Sequence, residues 1–135
     1  DPEVVSKLVR NAAFAAPAPT FLTFDLDPAL RIDHVPHLYY ALPVEGKDWY
    51  GRHVEPGFAV DITEVMPLKE KSLASHASQR EWLRKHHGMD EYIEAMRRAG
   101  AEQGKRIGKQ YAEGFNQHLG HGYPESNIIA ELLKL

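Results

Sequence analysis

The 135-residue sequence contains no cysteine. Disulfide scaffolds, thiolate zinc sites and cysteine nucleophiles are thereby excluded, and a cytoplasmic location is expected. Long apolar runs are missing as well. No stretch approaches the roughly 20 residues that a membrane span needs, and no signal peptide is visible. Positive charge is not in surplus: 16 Lys and Arg stand against 19 Asp and Glu, a formal net charge of -3. Little is left to neutralise a phosphate backbone, so nucleic acid is not an expected partner. No G-x-S-x-G elbow marks a nucleophilic serine, and no glycine-rich phosphate loop follows a strand. An initiating methionine is absent too. Starting at Asp1, the chain reads as the product of processing, an expression boundary or a truncation.

What is present is the balance of an ordinary globular chain, 43% apolar and 26% charged, with a length that suits one domain over residues 1-135. Asp1-Pro2-Glu3 reads as a helix start, with an Asp cap, Pro at the first helical position and an acid in the first turn. Val5, Leu8, Val9, Ala12 and Ala13 then repeat at helical spacing, and the helix should end before Pro17. Prolines at 17, 19, 28 and 36 and the lack of a period make the next stretch a long loop, with an extended piece at 21–24. Leu38-Tyr39-Tyr40-Ala41-Leu42 and Phe58-Ala59-Val60-Asp61-Ile62 read as strands. Between them, Glu45 to Pro56 reads as a turn or flap. Thr63 is placed to cap a helix that stops at Gly88, and Asp90 a longer one running towards His118. A short terminal helix is expected from Ile128.

Helix, loop, two strands and two long helices make an α/β chain with an incomplete sheet. Two strands do not build a stable sheet alone, and strands this short and apolar suit interior positions. The missing neighbours are expected in a preceding segment or in a partner. Gly100, Gly104 and Gly108 recur every four residues and are continued by Ala112. Each glycine costs about 0.8–1 kcal/mol in a helix interior relative to alanine, so the stripe asks for a packing reason, either within one subunit or in a homo-oligomer.

The 8 histidines include His34 and His37, His86 and His87, and His118 and His121. Each pair has a plain reading. Pro36 separates the first, a helix C-terminus suits the second, and Gly120 places the third in a turn. None is expected to form a self-contained metal site.

Four stretches carry a resemblance. Pro56 to Val65 (PGFAVDITEV) resembles the P-x-F-V-V-D-I-S-x-V strand-to-helix junction of LmbE-like (PIG-L-like) sugar N-deacetylases. Lys69 to Gln79 (KEKSLASHASQ) is similar to their next helix, with a lysine, an alanine-rich turn and then H-x-S-Q. His37 to Tyr40 resembles their preceding strand, and Asp1 to Phe14 the helix that follows their H-P-D-H motif. The resemblance implies a Rossmann-like three-layer fold of which this chain is the C-terminal portion. It also implies zinc-dependent hydrolysis of the acetamide of N-acetylglucosamine-type sugars or related small amides, in which metal-activated water attacks the amide carbonyl. The family's A-H-P-D-D-E loop is absent here, and so is its H-P-D-H. Either Pro2 stands where a metal histidine should be, or that motif ends just before Asp1. In both cases no zinc ligand maps onto a residue of this chain, and the metal-binding half is expected in a missing N-terminal segment. The resemblance implies His76, Ser78 and Gln79 as substrate-pocket contacts. Trp49, Tyr50, Arg52 and His53 suit a flap over a sugar. The alternative is a non-catalytic module that assembles subunits through the Gly100/Gly104/Gly108 helix.

Overall fold

The computed structural model describes residues 2–19, 31–75 and 89–135. Within them lie α1 (Pro2–Ala15), β1 (Tyr39–Ala41), a single 3-10 turn (Val44–Gly46), β2 (Phe58–Asp61), α2 (Met66–Ala74), α3 (Met89–Arg106), β3 (Ala112–Gln117) and α4 (Ile128–Leu133). The extended piece expected at 21–24, His86-His87 and the helix stop at Gly88 fall outside the described residues. No helix among the described residues is long and apolar enough to cross a membrane.

The architecture is mixed α/β, with a three-stranded sheet in the order β1-β3-β2. Strands β2 and β3 pair antiparallel, Phe58 opposite Phe115 and Asp61 opposite Ala112. Bonds from Leu42 N–H to the Gly114 carbonyl and from His118 N–H to the Leu38 carbonyl give the β1–β3 pair the same sense. Both strands expected from the sequence are there, but as the outer members of this sheet rather than as interior strands. Their common neighbour, β3, comes from within the chain, out of a segment expected to be helical.

Gly108 explains that difference. It adopts φ 68°, and the Lys109 N–H reaches back to the Gly104 carbonyl at 2.9 Å. This is the bond of a glycine-stopped helix C-terminus. The third glycine of the stripe therefore ends α3 instead of extending it, and the chain turns back into the sheet. The other two glycines face that returning segment. A Cβ on Gly100 would lie 3.5 Å from the Tyr111 ring, and one on Gly104 only 2.6 Å from the Lys109 carbonyl oxygen. The packing reason for the stripe thus lies inside this chain.

The chain divides into two compact units, Asp1–Tyr40 with Gln117–Leu135, and Ala41–Asn116. In the second, Ala59, Ile62, Met66 and Ala112 are buried, and the Phe58 and Phe115 rings stack at 5.8 Å. Thr63 does not cap α2, whose cap position is Val65. Its hydroxyl instead donates to the Tyr111 carbonyl at 3.3 Å and accepts from the Tyr111 N–H at 3.2 Å. This bond pair and the Ile62 N–H to Tyr111 carbonyl bond tie the strand-to-helix corner to the start of β3. Helices α2 and α3 are joined by Arg97, whose Nε and Nη2 bond the two Glu70 carboxylate oxygens at 2.6 and 2.8 Å.

In the first unit α1 ends before Pro17 as expected, yet Val5, Leu8 and Val9 remain about half exposed. Its C-terminal half is held by Tyr123. The Tyr123 hydroxyl donates to the Arg10 carbonyl at 2.7 Å, and the Phe14 and Tyr123 rings lie 5.9 Å apart. The short α4 is capped by the Asn127 side chain, which accepts from Ala130 N–H and from the Tyr39 hydroxyl.

Candidate functional site

The segment expected to be a flap is a miniature hairpin. Lys47 and His53 form an isolated antiparallel bridge, and Asp48 and Arg52 are linked by the Asp48 N–H to Arg52 carbonyl bond at 2.9 Å. The Asp48 carboxylate does the fixing. One of its oxygens accepts from the Tyr50 and Arg52 N–H groups, both at 2.9 Å. An Asp side chain bonding the backbone two residues ahead is a turn built from sequence, and Gly51 supplies the φ of 74° that the tip requires. The hairpin base is held as well. His53 Nδ1–H donates to the Gly46 carbonyl at 2.8 Å. The far side is anchored where Arg106 pairs with Glu55 and Asn116 Nδ2 donates to the Glu55 carbonyl.

This scaffold holds Trp49 and Tyr50 out at the tip, 80% and 81% exposed. The Arg52 guanidinium sits 5.3 Å from the centre of the Tyr50 ring, within cation–π range. Of the residues assigned to a sugar flap, Tyr50 and Arg52 come together, Trp49 stands exposed at the same tip, and His53 uses one ring nitrogen to hold the loop. Asp48, which orders the tip, was not singled out. Its signal was available in Asp-x-Tyr-Gly-Arg, an acid two residues before the apex. His76, Ser78 and Gln79 lie outside the described residues.

The histidines of the first unit do not converge. His34 Nδ1 lies 2.5 Å from the carboxylate of Asp33, and this contact holds the Asp33 carboxyl below its usual range. His37 Nε2 is 2.9 Å from the Ser126 hydroxyl. His118 Nδ1 is 3.0 Å from the Tyr40 hydroxyl, and its ring meets Tyr123 edge-on at 4.2 Å. Among the described residues no group of three or more His, Cys, Asp or Glu is placed to hold a metal ion. Zinc therefore finds no ligand set in them, and no metal-borne step can be assigned to these side chains.

A shallow cavity of about 290 Å³ lies in the second unit, lined by Ile62, Val65, Leu68, Lys69, Ser72 and Glu113. Its polar rim is already used, because Lys69 and Glu113 pair with each other.

No protein-family model, curated protein or solved structure matches this chain.

Proposed function

We propose that this chain is the substrate-facing portion of a metal-dependent N-deacetylase acting on N-acetylglucosamine-type sugars or related amides. The strand-to-helix corner carries the proposal. The Pro56–Val65 signature falls where β2 runs into α2, and its Asp-Ile-Thr core has a definite job there. Asp61 accepts from the Thr63 N–H at 2.9 Å, while Ile62 and Thr63 lock the first residue before β3. A signature whose polar members each hold a backbone group is tied to a fold rather than to composition. In this reading the three strands form the antiparallel margin of a larger Rossmann-like sheet, an arrangement mixed sheets commonly use. The zinc ligands and the general base lie in a further N-terminal segment. Zinc would supply Lewis-acid activation of water. The residues described here contribute the scaffold and the contacts to the sugar.

Acetate release from an N-acetylglucosaminide tests the proposal. The polypeptide encoded by the complete gene, supplied with zinc, is expected to release acetate and to stop when a chelator is added. The 135-residue chain alone is expected to release none. Absence of release by the complete, zinc-loaded polypeptide from every acetamido sugar tried would remove the assignment.

A further inference from the structure

The geometry points to Ser126 as a nucleophile with His37 as its base, a surface dyad that takes an acyl group from small activated esters without a metal. It stands apart from the zinc reading above, which gives neither residue a role.

His37 Nε2 and the Ser126 hydroxyl lie 2.9 Å apart, inside the roughly 2.6–3.2 Å that joins a nucleophile to its base. With the ring proton on Nδ1, Nε2 has the lone pair that accepts from the hydroxyl. Ser126 is exposed and His37 half-buried, so the hydroxyl is open to a solute. The two residues stand 89 apart in the chain, and their neighbours hold them together. The His37 ring stacks with that of Tyr39, centroids 6.5 Å apart and planes within 8°. It supplies the third group that orients the base of an activated nucleophile. The Tyr39 hydroxyl donates to Asn127 Oδ1 at 3.2 Å, which ties the same ring to the residue after Ser126. On the other side, Gln117 Nε2 donates to the Ser126 carbonyl at 2.8 Å and to the Pro124 carbonyl at 2.9 Å. All of these residues belong to the first compact unit. Reacting groups held in this way lose little freedom on reaching the productive geometry.

In the step itself the Ser126 Oγ attacks the ester carbonyl carbon while its proton passes to His37 Nε2. A bond from Oγ to the acyl carbon forms, and the bond from that carbon to the leaving oxygen breaks. His37 then gives the proton to the departing oxygen or to water, so the imidazole is restored. Nothing is oxidised or reduced, and the ester is the one reactant besides the chain. The side chains that fix the dyad, Tyr39, Gln117 and Asn127, are neutral. They supply no charge to stabilise an oxyanion, so the leaving group must carry its own. That selects aryl and other activated esters over amides.

The test treats the whole 135-residue chain with p-nitrophenyl acetate, with and without a chelator, and maps acetylated positions by mass spectrometry as p-nitrophenolate is released. Acetylation of Ser126 is expected ahead of the lysines and the amino terminus, at the same rate in both samples. Alkaline hydroxylamine should remove that group, because it cleaves esters and leaves amides. Ser126→Ala should lose the adduct. His37→Gln keeps a side chain able to hydrogen-bond but has no base, and should slow acylation of Ser126 about a hundredfold, the low end of what a positioned base supplies. Circular dichroism and the urea midpoint should match the parent and exclude unfolding as the cause. The parent map decides even where a variant unfolds: acetyl groups on lysines or the amino terminus with Ser126 unmodified overturn the dyad. Acylation of Ser126 at the parent rate in folded His37→Gln does so too, since the bond would then be structural. A chelator that abolished the adduct would overturn the metal-free step. Acetate release by the complete zinc-loaded polypeptide is a separate readout, so either reading can fail while the other stands.

Discussion

Gly104 and Lys109 touch backbone to backbone: a Cβ at position 104 would stand 2.6 Å from the Lys109 carbonyl oxygen and 2.8 Å from the Gln110 carbonyl carbon. Nothing flexible lies in the way, so the returning chain itself would have to move. Overpacking of this kind costs about 1–3 kcal/mol, set against about 1 kcal/mol gained by placing alanine in a helix. Gly104→Ala is expected to lower the urea midpoint. Gly100→Ala, whose nearest neighbour would be at an ordinary 3.5 Å, is expected to leave it unchanged or raise it. Equal effects of the two would contradict this packing.

Thr63→Val keeps the shape of the side chain and removes its hydroxyl. The Tyr111 N–H then loses its partner at 3.2 Å and the Tyr111 carbonyl loses one of two donors. A loss of about 1–2 kcal/mol is expected from denaturant unfolding, the usual range for a bond whose other half stays in place. Thr63→Ser should recover most of it.

Acid should weaken the α2–α3 clasp. Hydrogen bonds from Arg97 hold the Glu70 carboxyl below the ordinary value of 4.5; desolvation opposes them, and the Arg97 charge adds a smaller lowering. A carboxyl depressed in the folded state stabilises it at pH values above the unfolded pKa, and that contribution disappears as the pH falls through the folded one. Parent and Glu70→Gln unfolding midpoints should therefore differ at pH 7 and draw together as the pH falls from about 4.5 through the lower folded value. A difference that persists at pH 2 would point to lost packing instead.

Tyr123 holds α1 at two points. Its hydroxyl reaches the Arg10 carbonyl and its ring meets Phe14. Tyr123→Ala is expected to speed amide hydrogen exchange across residues 2–15, with Tyr123→Phe intermediate. Unchanged exchange in both would show that other groups hold the helix.

Strands β1 and β2 were legible because Tyr39, Tyr40, Phe58 and Val60 are aromatic or β-branched and their segments are bounded by turn residues. Strand β3 was not. Ala112-Glu113-Gly114-Phe115-Asn116-Gln117 has no β-branched residue, and Ala112 continues the four-residue beat of the preceding glycines. The deciding sign was the alternation itself, with Ala112 and Gly114 buried and their neighbours less so. Gly114 is small for a tertiary reason that sequence does not display: a Cβ there would meet Leu42 and Pro56 at 2.8 Å. Exposure of the flap aromatics followed from composition. Their fixation by Asp48, and the diversion of His53 to the Gly46 carbonyl, depend on positive φ angles at Glu45, Gly46 and Gly51. A single sequence gives little warning of the first, which is not a glycine.

The middle strand of the sheet is the last to be made. At about 5–20 residues per second of translation, β2 waits roughly 3–10 s for the partner that its backbone needs. During that interval the nascent chain presents unsatisfied strand edges to its surroundings, the surface on which wrong pairings start. Yield in the cell should therefore respond to chaperone supply and growth temperature more strongly than the finished protein's thermal stability would suggest.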